Sequence, residues 1–322
     1  MKRKSKLRLF SLLLIVCALA LTAFFYVTTF GLQSKATPTT TYDDALFRLS
    51  LLEQADSPQI LEKCKTTFLT HGKKTDRMVV LIHGFTNCPQ QYRAFGQQLY
   101  DQGYNVLIPR IPHHGFADLM TNEPQLLTAG ELRVFSDEVV DIATGLGEKV
   151  TVSGISAGGV MAAWVAQNRA DVDKIVVLAP VFGSQTIPVP LKKFFVNASI
   201  FFPGYYRWWD EVKKQEDGLD HAYPRFSTRA VAEIARLGYA VHNQATQSAP
   251  LSKSITVITL EDDPAVNNEM TSDMVALWRG KGKEVETFQF SKDLGLIHDM
   301  LDPDQKKQQI GVVYPVLLGY FR

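Results

Sequence analysis

Gly154-Ile155-Ser156-Ala157-Gly158 has the spacing that lifts a serine hydroxyl out of a sharp turn. An apolar, β-rich stretch precedes it. Val160-Met161-Ala162-Ala163-Trp164-Val165-Ala166, a good helix former, follows. Strand, tight turn and helix is the setting in which Gly-x-Ser-x-Gly presents a nucleophile. A Cβ at Gly154 or Gly158 would crowd the adjoining strand and helix. The Ser156 hydroxyl then lies at a helix N-terminus, where partial positive charge favours a developing oxyanion. A Gly-rich turn without chemistry has the same letters; the strand-to-helix context favours the nucleophile.

A serine hydroxyl needs a base within hydrogen-bond reach and a carboxylate to orient that base. On a parallel sheet with this turn, the acid and then the histidine come later in the chain. The histidines are His71, His83, His113, His114, His221, His242 and His298, and only His298 follows the last core strand. The acid is expected just after the strand at 254–260, where Glu261, Asp262 and Asp263 are adjacent. The spacing to Val266 and the turn fixed by Pro264 favour Asp263, with Asp262 as the alternative. The expected oxyanion donors are the backbone N–H groups of Ala157 and of Phe85, in the loop His83-Gly84-Phe85. Loss of one such donor typically costs about 10²–10³ in rate. His83 itself reads as a structural hydrogen-bonder. His113 and His114 read as residues that shape their loop, a substrate contact being the alternative.

These residues need a scaffold, and the apolar periodicity supplies one. Strands are expected at 66–70, 78–82, 105–109, before Ser156, and at 174–180, 254–260 and 284–290. Helices are expected at 89–102, 128–146, 270–279 and 303–320, with partial helix at 42–61. Thr128 and Glu131 have the spacing of a capping box. Strand–helix alternation predicts a mostly parallel sheet with helices on both faces. Residues 182–250 break the pattern, with no strand expected and an amphipathic helix near 228–247. An insertion there reads as a cap over the carboxyl edge of the sheet, where ligands bind. Its cluster Phe201-Phe202-Pro203-Gly204-Tyr205-Tyr206-Arg207-Trp208-Trp209 either packs within the cap or forms an apolar wall for an acyl chain or a membrane surface.

The 322 residues are 46% hydrophobic and 21% charged, enough for a large core. Net charge is +1, and removing the five cations among the first eight residues leaves −4. No basic surface for nucleic acid is expected. The three cysteines are too few for a disulfide scaffold, and no metal-ligand spacing occurs. Residues 9–30 carry no charge and are long enough to cross a bilayer. With basic residues before them, they predict a single-pass anchor, a cytoplasmic N-terminus and an exported catalytic domain. Cys17 then lies within the membrane. A cleaved signal peptide with secretion is the alternative. Residues 33–42 read as a polar tether.

Together, His83-Gly84-Phe85, the Pro112-His113-His114-Gly115 turn, Gly154-x-Ser156-x-Gly158, Asp263 with Val266, and His298 resemble the α/β-hydrolase family, in its monoglyceride lipase, lysophospholipase and carboxylesterase-like branch. The resemblance covers residues 65–322. It implies an α/β-hydrolase core at 65–182 and 251–322, a helical cap at 183–250, and an extension at 37–64 after the N-terminal segment 1–36. It further implies a catalytic Ser156, Asp263 and His298, an acyl-enzyme intermediate and no cofactor. The apolar cap and tether point to an acyl ester or lipid substrate. A peptidase or thioesterase of the same fold, or a non-catalytic binding protein, is the alternative. Cys88 departs from the pattern. Either it pairs with Cys64 in a disulfide, or both are unpaired small residues.

Overall fold

Met78-Val79-Val80-Leu81-Ile82 is fully buried, and the sheet explains why it can be apolar on every position. In the computed structural model, which describes residues 10–16, 22–184, 187–212, 214 and 218–322, this run lies mid-sheet. The core strands are β1 (Thr67–Leu69), β2 (Thr75–Ile82), β3 (Asn105–Ile108), β4 (Gly147–Ile155) and β5 (Lys174–Leu178). A short pair follows, β6 (Tyr206–Trp208) and β7 (Arg225–Ser227), and then β8 (Ser254–Leu260) and β9 (Val285–Phe290). The seven-stranded sheet has the order β1-β3-β2-β4-β5-β8-β9. β1 is antiparallel to β3, and the other pairings in this sheet are parallel.

The helices are α1 (Tyr42–Glu53), α2 (Gln90–Tyr100), α3 (Ala129–Leu146), α4 (Ala157–Asn168), α5 (Val189–Phe201), α6 (Thr228–Gln247), α7 (Asn268–Gly280) and α8 (Ile310–Phe321). Strand side chains alternate between faces. Met78, Val80 and Ile82 meet α3 and α4 on one face, with Val139, Ile142 and Val160 among the contacts. Val79 and Leu81 meet α2 and α8 on the other, through Phe95, Leu99 and Leu317. Full burial of each such side chain is worth about 1.5–3 kcal/mol. The α3 capping box forms as expected, Thr128 and Glu131 satisfying each other's backbone N–H groups.

Two expectations are corrected. The stretch 182–250 was expected to lack strands, yet β6 and β7 pair antiparallel, Arg207 opposite Phe226. Three-residue strands are too short for a period of two to register. The single-pass membrane anchor, with the exported catalytic domain drawn from it, is also corrected. Among the described residues no helix is long and apolar enough to cross a membrane. In the later part of the apolar run Phe24 and Val27 pack against protein, while Phe25, Tyr26 and Phe30 are exposed. Phe24 stacks on Phe202 with ring centroids 6.3 Å apart and tilts against Phe194 at 5.6 Å. Val27 and Leu32 are buried, and Trp164 Nε1–H donates to the Leu32 carbonyl at 2.8 Å. Residues 1–9 and 17–21, Cys17 among them, lie outside the described residues.

The polar stretch that follows is hydrogen-bonded along α3. Lys35 N donates to Asp137 Oδ2 and Thr37 N to Asp141 Oδ2, each at 2.8 Å. Cys64 and Cys88 form a disulfide, with Cα atoms 5.1 Å apart. It sits in a small apolar cluster with Ile60, Leu61 and Phe116.

Candidate active site

β4 ends at Ile155 and α4 begins at Ala157, leaving Ser156 to make the whole turn. Its backbone takes φ 57° and ψ −112°, a region that costs a non-glycine residue about 1–3 kcal/mol. Neighbouring chain holds the conformation. Ser156 N donates to the Leu178 carbonyl at 3.0 Å, and the Ser156 carbonyl accepts from Val160 N at 3.1 Å and Val181 N at 3.2 Å. The flanking glycines are sterically required. A Cβ on Gly154 would collide with the Gly158 carbonyl, and one on Gly158 with the Ile82 carbonyl.

Asp263, in the loop after β8, is buried at 3% exposure, while Glu261 and Asp262 face solvent. Asp263 Oδ1 accepts from Ala265 N at 2.9 Å and Val266 N at 3.3 Å. Its Oδ2 accepts from His298 Nδ1 at 2.7 Å. The alternative, Asp262, is thus outside this contact. His298 stands in the loop after β9. With its Nδ1 donating to a carboxylate, the neutral ring carries its lone pair on Nε2. Ser156 and His298 line one cavity of about 350 Å³, together with Phe85.

Gly84 brings its loop against the serine: a Cβ built on it would be 3.6 Å from Ser156 Cβ. His83 fixes the strand end before it. Its Nδ1–H donates to the Gly84 carbonyl at 2.9 Å, and its Nε2 accepts from Ile111 N at 3.1 Å. Burial, and next the charge of His114, push its pKa well below the usual histidine value, so it stays neutral. Among the described residues Phe85 N–H has no acceptor. Ala157 N–H, at the first position of α4, has none within its helix. His114 is buried, and its Nδ1–H donates to the Pro112 carbonyl at 2.9 Å. Burial takes its pKa down to about 4. His113 sits between Glu123 at 3.1 Å and Glu131 at 3.2 Å.

A polar network behind these loops had no signal in the sequence. Gly84 N donates to Gln91 Oε1 at 2.7 Å, and Gln91 Nε2 donates to Asp299 Oδ1 at 2.8 Å. Asn87 Nδ2 donates to Asp299 Oδ2 at 3.0 Å and to Asp302 Oδ2 at 3.1 Å. His221 Nε2–H donates to Asp302 Oδ2 at 2.8 Å. Burial, with the Asp302 charge adding, raises the Asp299 pKa. Among the described residues His221, Asp302 and Asp304 bring metal-capable atoms within 4.8 Å of one another. The His221–Asp302 hydrogen bond already occupies the inner two, so the group is a hydrogen-bonded part of this network.

A family model described as the alpha/beta hydrolase family matches residues 79–295. The chain is 25% identical over 167 residues to the thermostable monoacylglycerol lipase of Bacillus sp. (strain H-257). That match covers 49% of this chain and 60% of the lipase. Solved structures share the fold. One from a study of the metagenome-derived lipolytic enzymes LipS and LipT has a TM-score of 0.58 at 20% identity, over 82% of this chain and 99% of that one. The Paleococcus ferrophilus monoacylglycerol lipase has 0.59 at 15%, over 80% and 97%. A soluble variant of the Saccharomyces cerevisiae monoglyceride lipase, in complex with a substrate analogue, has 0.59 at 14%, over 80% and 90%.

Proposed function

Because the chain belongs to the alpha/beta hydrolase family, we propose from that premise and the geometry of its site that it is a serine esterase acting on acyl esters. The observation that carries the proposal is the His298 Nδ1–Asp263 Oδ2 hydrogen bond beside a cavity shared with the strained Ser156. In this reading Ser156 Oγ attacks the ester carbonyl carbon and His298 Nε2 takes its proton. Asp263 holds the ring and stabilises the imidazolium. The N–H groups of Phe85 and Ala157 hold the oxyanion. Collapse expels the alcohol, which takes the proton from His298. Water, deprotonated by His298, then releases the acid and restores Ser156.

The substrate class follows from the cavity wall. Ile155, Val181, Phe226, Val231, Ile234 and Ile297 surround the serine, a surface suited to an acyl chain over a sugar or a charged peptide. The printed activity of the Bacillus relative supports monoacylglycerols as the first lipid to try. We further read residues 183–250 as a cap, since Trp209 and Phe226 from it line the same cavity. The test is kcat/KM for p-nitrophenyl esters of increasing acyl length, with Ser156→Ala as control and a fluorophosphonate as covalent label. Ester turnover and labelling that both vanish in Ser156→Ala are expected. Turnover that survives the substitution would overturn the mechanism. Labelling without turnover of any ester would move the reading to amides or thioesters.

A further inference from the structure

A second cavity, of about 450 Å³, lies within the insertion, between α5 and α6. Ser184, Phe226 and Val231 line both it and the Ser156 cavity, so the two adjoin. Its wall is largely apolar, with Phe182, Phe195, Val196 and Ala235. Two lining residues do not fit a plain acyl pocket, the exposed Arg207 and the buried Lys192. Lys192, in the first turn of α5, is buried at 4% exposure. Among the described residues its single polar contact is Met270 Sδ, at 3.3 Å. A thioether is a weak acceptor and no counter-ion. Burial pulls the Lys192 pKa below that of a free lysine, and among the described residues Glu269 exerts the one opposing charge, without an ion-pair contact.

A buried cation ordinarily has a partner, because leaving an ammonium unpaired in an apolar setting is costly. The position of this one matters. A Cβ on Gly183 would come within 3.0 Å of Lys192 Nζ, and Gly183 adjoins Ser184, which faces both cavities. The ammonium therefore stands at the wall of this second cavity, beside its junction with the cavity that Ser156 lines. We infer that this second cavity receives an anionic group of an amphiphilic substrate, a carboxylate or phosphate, and that Lys192 pairs with it. The inference rests on the esterase reading and narrows its substrate class from neutral acyl esters to esters that carry an anion. The apolar wall takes the alkyl portion, and the ammonium sets where the charge must fall.

The experiment measures anion preference as a ratio. Two pairs of substrates place the charge on opposite sides of the ester: p-nitrophenyl monoesters of dicarboxylic acids from adipate to sebacate against neutral acyl esters of equal length, and 1-acylglycerol 3-phosphate against 1-acylglycerol. In one of the pairs kcat/KM is expected to favour the anionic member by about tenfold or more, the scale of a buried charge contact. The pair that does so identifies the side on which the charge enters. Lys192→Met is expected to abolish the preference and Lys192→Arg to keep it, so a folding defect in one variant does not hide the result. Binding of dodecyl phosphate against dodecanol to Ser156→Ala, by titration calorimetry, tests the same contact without turnover. A wild-type protein that cleaves no ester, yet binds dodecyl phosphate in a Lys192-dependent way, would sink the esterase reading and leave the anion site standing. Neutral esters cleaved with no anionic preference in either pair, and dodecyl phosphate binding unchanged in Lys192→Met, would overturn the anion site.

Discussion

Asp263→Asn separates the orientation of His298 from every other feature of the site. The loop decides which way the new amide faces. Asp263 Oδ1 is held by two N–H donors, from Ala265 and Val266. The amide oxygen of the variant must stay there, because the NH₂ group would leave both donors unmet at a cost of about 1–3 kcal/mol each. The NH₂ therefore points at His298 Nδ1, 2.7 Å from the replaced oxygen. His298 can accept that hydrogen only with its own proton on Nε2, and then it cannot take one from Ser156. The expected loss in kcat is about 10⁴, or roughly 5 kcal/mol of barrier. The assay is kcat and KM for p-nitrophenyl butyrate, with the fluorophosphonate labelling rate of Ser156 as a check on nucleophilicity. Both should fall together, with KM changed by less than about threefold, since the carboxylate touches no part of the substrate in the proposed mechanism. Asp262→Asn, on an exposed side chain, should stay within about twofold of wild type. A loss below about tenfold in Asp263→Asn would refute the tautomer argument, and a large loss in Asp262→Asn would transfer the role to the neighbour.

Gln91→Met removes the acceptor of Gly84 N–H and a donor to Asp299, and should lower kcat about tenfold through the oxyanion loop while KM holds; an unchanged kcat would show that this loop keeps its position without Gln91. Replacing Cys64 and Cys88 by Ala together opens a loop of sequence separation 24 and should lower unfolding stability by about 3 kcal/mol in urea titration, with no loss counting against the disulfide. His221→Gln should destabilise in a pH-dependent way. Burial disfavours the His221 cation, but the hydrogen bond and charge of Asp302 outweigh it and raise its pKa. Burial likewise opposes ionisation of Asp302, and the His221 contact outweighs it to lower that pKa. The histidine's contribution is then full below its unfolded value and fades as pH rises through its folded one; the aspartate's is present above its unfolded value and is lost in acid. The Tm deficit of His221→Gln should be widest between about pH 4 and 6.5 and narrow above, and a flat deficit would refute the coupling.

The core strands were legible because strands buried on both faces must be apolar at every position, as 78–82 is. That Asp263 meets His298, on a cavity that Ser156 also lines, was legible from order along the chain, since a parallel sheet delivers successive loops to one edge. Asp263 could be preferred over Asp262 because Pro264 and Val266 dictate which carboxylate turns inward. Other features depend on contacts that no local pattern carries. The apolar run before residue 33 reads as a bilayer segment by composition; folding brings one of its members, Phe24, against Phe194, Phe201 and Phe202, far along the chain, while residues 10–16 are exposed. Hydropathy measures a need for burial and does not name what supplies it. β6 and β7 escaped notice because three residues hold barely one alternation. Asn87, Gln91, His221, Asp299 and Asp302 are ordinary polar residues in sequence. Only folding reveals that Asn87 and Asp302, 215 positions apart, share a hydrogen bond.

That network makes two working parts of the proposed site into one. Gly84 N–H is bound to Gln91, Gln91 to Asp299, and Asp299 is the neighbour of His298. Asn87, two residues beyond Phe85, reaches the same Asp299. The loop that would hold the oxyanion and the loop that carries the base are thus cross-linked behind the cavity. Each buried polar atom in the link is met by another member, so neither loop can shift without leaving a donor or acceptor bare. The disulfide at Cys88 fastens the outer end of the oxyanion loop to the chain before β1. On the other side, Trp209 Nε1–H donates to Thr86 Oγ1 at 2.9 Å and Tyr223 N to the Thr86 carbonyl at 2.7 Å, so the insertion clasps the same loop from above. Thr86 itself sits at φ 69°, a conformation that a free loop would relax. Three separate parts of the chain therefore converge on five residues, 84–88, that in the proposed mechanism contribute a single backbone donor. Such investment in a loop with no acidic or basic group of its own is what preorganised oxyanion binding requires, because a donor gains most in the transition state when it has nowhere else to move.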